Sequence, residues 1–242
     1  MKNRHQSGFT LIELAVAIFI IALLLGSILV PLATQVEARQ ISETQKTIEE
    51  IRDALYGFAA TNGYLPCPDL EAGAGANDGA EDISAGGTGL CASVVVAGGT
   101  TLSAGNLPWA TLGLGNQDAW GNRFRYTVLA AYAQRSPAAQ FSLATAGGLR
   151  VCPTGACATN FTTTAVAVVI SHGKNGYSAY SAITNTQNTL ATSTDELENA
   201  DNDRDAVSRT QSNVTGSEFD DIVVWLPKFN LNNRMVSAGR LP

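Results

Sequence analysis

The stretch that decides the fold is Gly8-Phe9-Thr10-Leu11-Ile12-Glu13-Leu14, which opens an apolar run that continues to Leu32. Glu13 is the only charged residue of this run. The 24 residues from Phe9 to Leu32 would form a helix roughly 36 Å long, which exceeds the ~30 Å hydrocarbon core of a bilayer. Lys2 and Arg4 precede the run, and basic residues favour the cytoplasmic side. The pattern predicts a single-pass stem with its amino terminus in the cytoplasm.

Glu13 needs an explanation, because an ionisable side chain in a membrane helix is costly and normally has a partner. A short basic leader that ends in Gly8, followed by Phe-Thr-Leu-Ile-Glu-Leu, resembles the start of type IV pilins and type II secretion pseudopilins. The resemblance implies that prepilin peptidase cleaves after Gly8 and methylates the new amino group of Phe9. It also implies that Glu13 pairs with the Phe9 amine of a neighbouring subunit, which gives a buried charge its partner.

Two simpler interpretations of the same stretch remain open. A secretory signal peptide is cut after its apolar region at a small-residue site, whereas this run is longer and continues into a helical pattern. A plain membrane anchor explains the hydrophobicity but explains neither Glu13 nor the junction between Gly8 and Phe9. The stretch therefore favours a filament subunit.

Length and charge limit what else the chain can do. With 242 residues it has room for one stem and one globular domain of moderate size. Its formal net charge of −6 becomes −8 without the leader, which carries Lys2 and Arg4, so nucleic acid is not an expected partner. The partners that the resemblance implies are prepilin peptidase, other pilin or pseudopilin subunits, an assembly platform in the inner membrane, and membrane lipid.

A second helical pattern follows the stem. Pro31 predicts a kink, because proline removes a backbone donor and crowds the preceding turn. Asn62-Gly63 is a typical helix stop. We therefore divide the chain into a cleaved leader (1–8), a stem (9–32), an amphipathic outer helix (33–62) and a periplasmic head (63–242). One apolar stripe marks the outer helix: Ile41, Ile48, Ile51, Leu55 and Phe58.

The head shows strand patterns, so the predicted fold class is α+β, with the long helix packed on an antiparallel sheet. Residues 69–106 are rich in glycine and predict a long surface loop, and residues 107–114 look β-like. The continuous apolar run Val166–Ile170 predicts a central strand. Short segments at 118–122, 171–176 and 220–226 resemble turns and the closing strand of major pseudopilins, although Ala119 replaces their usual proline. The expected strands are Phe124–Val128, Gln140–Ala144, Gly148–Cys152, Ala165–Ser171 and Ile222–Leu226.

The four cysteines all lie beyond the stem, in what should be an oxidising compartment. Three pairings are formally possible. Closing the short span from Cys152 to Cys157 is the simplest and leaves Cys67 to pair with Cys91. A zinc site is the alternative, but the spacing of Cys67 and Cys91 is unlike paired zinc knuckles.

Calcium is a further expectation from the resemblance, since pseudopilins can hold Ca2+ in a loop before the closing strand. Oxygen ligands at the density found in this interval suit such a hard cation. Its acidic residues are Asp195, Glu196, Glu198, Asp201, Asp203 and Asp205. The segment is no EF-hand, because the sixth position from Asp201 is Ala206 and the twelfth is Ser212. A solvated acidic loop is the alternative. The candidate ligands are Asp201, Asp203, Asp205, Asp220 and Asp221.

The sequence does not indicate an enzyme. His172 is the only histidine left after removal of the leader, and no catalytic signature is present. A membrane-tethered module that binds or adheres to a surface outside the cytoplasm is the main alternative to a filament subunit. Glu13 distinguishes the filament subunit from the tether, because a tether does not need a carboxylate in its membrane helix.

Overall fold

A computed structural model of the chain describes residues 9–71, 77–85, 89–136 and 140–241, with the side chains of residues 25–33 outside that description. Gly8 and the leader, and the side chain of Pro31 with its predicted kink, therefore lie outside the described residues. The chain divides into two compact units, one ending at Ser42 and the other running from Glu43 to Pro242. Among the residues that could be searched, no helix has both the length and the apolar character needed to cross a membrane. The stem at 9–32 stays a prediction.

Helix α1 runs from Leu11 to Asn62. In the second unit Ile48, Ile51 and Leu55 are fully buried in the hydrophobic core of the head, which confirms the predicted apolar stripe there. The helix ends as the sequence predicts, because Gly63 adopts a positive φ of 89° and its N–H donates to the carbonyl of Ala59 at 2.7 Å.

In the part of the chain that the structure describes, seven strands and three short helices follow α1. The helices are α2 (Trp109–Leu112), α3 (Thr194–Glu198) and α4 (Lys228–Ser237), and a 3-10 turn covers Ala130–Tyr132. The strands are β1 (Val95–Ala97), β2 (Thr100–Asn106), β3 (Arg125–Leu129), β4 (Leu149–Cys152), β5 (Thr162–Ser171), β6 (Asp205–Val207) and β7 (Ile222–Pro227).

Strand β5 lies at the centre of the sheet. Strand β7 pairs along one of its edges, while β3 and then β4 pair along the other, so Ala165 faces Leu149 of β4 on one side and Pro227 of β7 on the other. Beyond β3 the order continues through β2 to β1, and beyond β4 lies β6. The α+β class is confirmed. The sheet is mixed rather than wholly antiparallel, because the segment after α3 brings β6 alongside β4 in the same direction.

The apolar run Val166–Ile170 is a central strand, as predicted, and all its side chains are buried. It shares one core with α1 and with the large side chains of β3 and its flanks, such as Phe124 and Tyr126. The Tyr126 hydroxyl donates to the carbonyl of Pro66 at 3.2 Å, so even this buried polar atom is satisfied.

Three segments differ from the sequence prediction. Residues 95–106 form the β1–β2 hairpin instead of a surface loop, since Gly98 and Gly99 take the positive φ values (53° and 77°) that a two-residue turn requires. Residues 109–112 are helical, closed by Gly113 at φ 69°. No strand forms at Gln140–Ala144, because Phe141 packs its ring on Tyr132, with the ring centroids 4.7 Å apart, and a turn follows.

A turn at residues 118–122 is fastened to the end of β5 by Asp118, which is buried. Its Oδ1 accepts from the N–H groups of Trp120 and Asn122, both at 2.9 Å, and its Oδ2 accepts from the Ser171 hydroxyl at 2.7 Å. Gly121 has a φ of 86°. Burial raises the pKa of the Asp118 carboxyl. This side chain joins two of the segments that resemble pseudopilins.

Two disulfides cross-link the head. One joins Cys67 to Cys91, with Cα atoms 5.3 Å apart, and the other joins Cys152 to Cys157 at 5.2 Å. The first lies in the main core and holds the segment after α1, while the second closes a short loop after β4.

The carboxyl-terminal residues return to the end of α1. The Arg240 guanidinium donates from Nε to the carbonyl of Ala60 at 2.9 Å and from Nη2 to the carbonyl of Thr61. These carbonyls belong to the last turn of α1, where no helical partner is available. Arg240 therefore caps the helix.

Candidate functional site

The start of α1 forms a reciprocal cap between Thr10 and Glu13. Oε2 of Glu13 accepts from the Thr10 N–H and from the Thr10 hydroxyl, both at 2.9 Å, and the Glu13 N–H donates to the Thr10 hydroxyl oxygen at 3.3 Å. This is a capping box, which satisfies donors that a helix start leaves free. The Thr-x-x-Glu spacing of Thr10 and Glu13 is the local sequence signal for this cap. The Glu13 carboxylate thus has a partner within its own chain.

Around this cap the stem is apolar on all sides. Phe9 is 85% exposed, Leu11 86% and Ile12 73%. An apolar surface of this extent, with no cover from its own chain among the described residues, is typical of contact with lipid or with another protein. Similar exposure continues along the helix at Leu14, Val16, Ile18, Phe19, Ile20, Ile21, Leu23 and Leu24.

The five predicted calcium ligands do not form one site. Asp203 and Asp205 lie with Glu198, whereas Asp220 and Asp221 lie with Glu196. In each group the ligand atoms are within 4.8 Å of one another. Asp201 belongs to neither group. Its carbonyl oxygen accepts from the buried Arg125 at 2.7 Å.

The Glu198 group is compensated by arginine. The Arg150 guanidinium donates from Nε to Oδ1 of Asp205 at 2.5 Å and from Nη2 to Oδ2 of the same carboxylate. Nε of Arg204 also lies 3.7 Å from Oδ1 of Asp205. Burial raises the pKa of Glu198 to about 7. This group already has its counter-charge within the protein.

The Glu196 group is different, because three of its buried oxygens accept no hydrogen bond. They are Oε2 of Glu196, Oδ1 of Asp220 and Oδ1 of Asp221. The other Glu196 oxygen accepts from the Asn175 side chain at 2.8 Å. Burial raises the pKa of Glu196 to about 7 and that of Asp220 to about 6, and neighbouring carboxylates act in the same direction.

The donor set of the Glu196 group fits a hard divalent cation, since such ions take carboxylate oxygens. His172 lies beside this group, with its Nδ1 3.7 Å from Oδ1 of Asp221. The sequence places Glu196 in the acidic interval but does not single it out as a ligand, because only the short helix α3 brings it beside Asp220 and Asp221.

Comparison with known proteins bears on the amino terminus. Residues 3–29 match the family model described as the prokaryotic N-terminal methylation motif. This motif is the signal of type IV pilins and pseudopilins, and it confirms the resemblance first seen at Gly8–Leu14. No curated protein and no solved structure matches the chain. The chain therefore carries a prepilin-type signal on an α+β protein.

Proposed function

We propose that this chain is a structural subunit, a pseudopilin or a minor pilin, of a type II secretion pseudopilus or a type IV pilus-like filament. The observation that supports it most is the methylation motif at residues 3–29, which contains Glu13 at the capped start of α1. Prepilin peptidase processes the chain, and the subunit assembles from the inner membrane with the head in the periplasm.

In this proposal Glu13 exchanges partners. Before assembly its carboxylate accepts from Thr10 within the same chain. During assembly it takes the positively charged Phe9 amine of a neighbouring subunit, since hydrogen bonds between charged groups are roughly twice as strong as neutral ones. The capping box holds the carboxylate in place for that exchange.

Processing is tested at the amino terminus. Mass spectrometry of assembled protein is expected to show chains that begin at N-methylated Phe9, and Gly8→Leu is expected to retain the leader because the peptidase needs a small residue there. Ser7→Leu is the matched control and is expected to be processed. Assembled chains that begin at Met1 would contradict the proposal.

We further propose that Glu196, Asp220 and Asp221 hold Ca2+. What supports this is that three of their buried oxygens accept no hydrogen bond, whereas in the Glu198 group Asp205 already pairs with Arg150 and Arg204. A bound cation would relieve the repulsion among these carboxylates and would tie α3 to the start of β7. Asp203 and Asp205 are weaker candidates because Arg150 already pairs with Asp205, and Asp201 is weaker because it lies in neither group.

Calcium is expected to raise the melting temperature of the full chain in detergent. At a concentration 100-fold above Kd, binding contributes about 2.7 kcal/mol, or roughly 5 to 10 °C for a domain of this size. Glu196→Gln is expected to abolish the increase, and Glu198→Gln is expected to preserve it. An equal loss in both variants, or no increase in the wild type, would refute the assignment.

A further inference from the structure

Among the described residues, β1 and β7 each have one unpaired edge, as does β6. Along the order β1-β2-β3-β5-β7, β1 pairs only with β2 and β7 pairs only with β5. An unpaired edge presents free N–H and C=O groups and is a template for another strand. The two free edges lie at opposite ends of the same run of strands.

The free edge of β7 lines a groove of about 570 Å³. The groove lies between β7, the outer part of α1 and α4. Val223, Val224 and Trp225 line it from the strand, and all three are partly exposed.

The charged residues of the groove balance one another. They are two acidic and two basic side chains: Glu49, Asp53, Arg52 and Arg234. Glu49 pairs with Arg52. A groove of this kind, with a sheet edge on one side and a helix on the other, accepts an extended uncharged segment.

Strand β1 has the properties of such a segment. Val96 is 73% exposed and Val94 39%. Because Ala97 and Thr100 flank the two-residue turn, they form a hydrogen-bonded pair, so the N–H and C=O of Val96 point away from β2. No charged residue occurs from Ile83 to Gln117. Charged residues and proline normally protect an edge strand, and β1 itself contains neither.

The remaining edge strand, β6, is protected. It begins at Asp205, which is paired with Arg150, and the preceding Arg204 reaches across to the carbonyl of Gly98 at 2.9 Å. Charges on an edge disfavour pairing with a second sheet. The contrast leaves β1 and β7 as the two edges suited to pairing.

We propose that β1 of one copy enters the groove of the next copy and pairs with β7, so that the sheets of neighbouring heads continue head to tail. The inference rests on the proposed filament function. A contact between two different surfaces that does not close on itself propagates as an open helical assembly, which is what a filament needs. Three residues of β1 give only a few hydrogen bonds, so this contact adds to the association of the stems.

Cross-linking tests the pairing in assembled filaments. Within one chain, residues 96 and 224 are separated by four strand spacings, about 19 Å, and a disulfide needs Cα atoms within about 7 Å. Cells that produce Val96→Cys chains together with Val224→Cys or Val223→Cys chains are expected to yield disulfide-linked dimers on mild oxidation. Chains carrying both cysteines are expected to yield a ladder. The described cysteines are all in disulfides, so the new thiols are the free ones.

The control pair combines Val96→Cys with Val214→Cys. Val214 is 66% exposed and lies in a different turn, so this pair is expected to give no dimer. Filaments without the 96–223 or 96–224 link would overturn the inference while leaving the filament function intact. Dimers of Val96→Cys alone, or a link from residue 224 to another protein, would also overturn it. Failure of the wild type to form filaments at all would instead remove the proposed function.

A second variant tests the same pairing without cysteines. Val96→Lys places a charge on the free edge and is expected to reduce filament incorporation at least fivefold with an unchanged melting temperature. Val214→Lys, on a turn of similar exposure, is expected to assemble normally. Normal assembly of the Val96→Lys protein would contradict the proposed contact.

Discussion

Replacing Glu13 by Leu is expected to reduce incorporation into filaments at least tenfold at equal abundance in the membrane. Packing of apolar stems buries surface but does not set the axial offset between neighbours, whereas a single buried polar group can fix such a register. A hydrogen bond to a charged group contributes about 1.5 to 3 kcal/mol, and each 1.4 kcal/mol changes an equilibrium tenfold. Cleavage after Gly8 and the melting temperature of the head are expected to stay unchanged.

Glu13→Gln separates the helix cap that the structure shows from the ion pair that we propose. Glutamine can still accept from Thr10 and complete the capping box, but it cannot form an ion pair with the Phe9 amine. Incorporation is therefore expected to fall with Gln as it does with Leu, measured by quantitative blotting of sheared filaments. Wild-type incorporation of the Leu protein would remove the main reason to prefer a filament subunit over a tether. Wild-type incorporation of the Gln protein would assign the role of Glu13 to its helix cap.

The Asp118→Ala protein is expected to be less stable by about 3 kcal/mol, because two backbone N–H groups and the Ser171 hydroxyl lose their acceptor in a buried setting. For a domain of this size the melting temperature should fall by roughly 6 to 12 °C. Circular dichroism of the full chain in detergent measures the change.

Asp118→Asn is the matched control. Its side-chain oxygen can still accept from the N–H groups of Trp120 and Asn122, and its amide can donate to the Ser171 hydroxyl, which can rotate to accept. Burial already raises the pKa of Asp118, so a neutral group of the same shape is tolerated. The expected loss is less than half that of Asp118→Ala. Equal losses in both variants would show that charge, rather than hydrogen bonding, holds this turn.

The sequence predicts those parts of the fold that local signals determine. The Asn62-Gly63 stop of α1 follows from glycine's freedom to adopt positive φ, and the burial of Ile48, Ile51 and Leu55 follows from helical periodicity. The central position of β5 follows from an apolar run that cannot face water on either side. The amino-terminal signal is also local, and the family comparison confirms it.

Long-range contacts account for the rest. The β1–β2 hairpin was predicted as a loop because glycine dominates the composition, although Gly98-Gly99 between β-branched residues is a hairpin signal. Strand β6 is only three residues long and forms because it pairs with β4. The Glu196 group depends on α3 packing beside the residues that precede β7, and no spacing in the sequence predicts it.

Arg240 determines where this protein can be labelled. Since its guanidinium caps the last turn of α1, a fluorescent or affinity tag inserted directly beside Arg240 would disturb that contact. The exposed turn at residues 213–217 is the better attachment point, because among the described residues it makes no hydrogen bond to α1. Tags for imaging and purification should therefore be placed in this turn rather than beside Arg240.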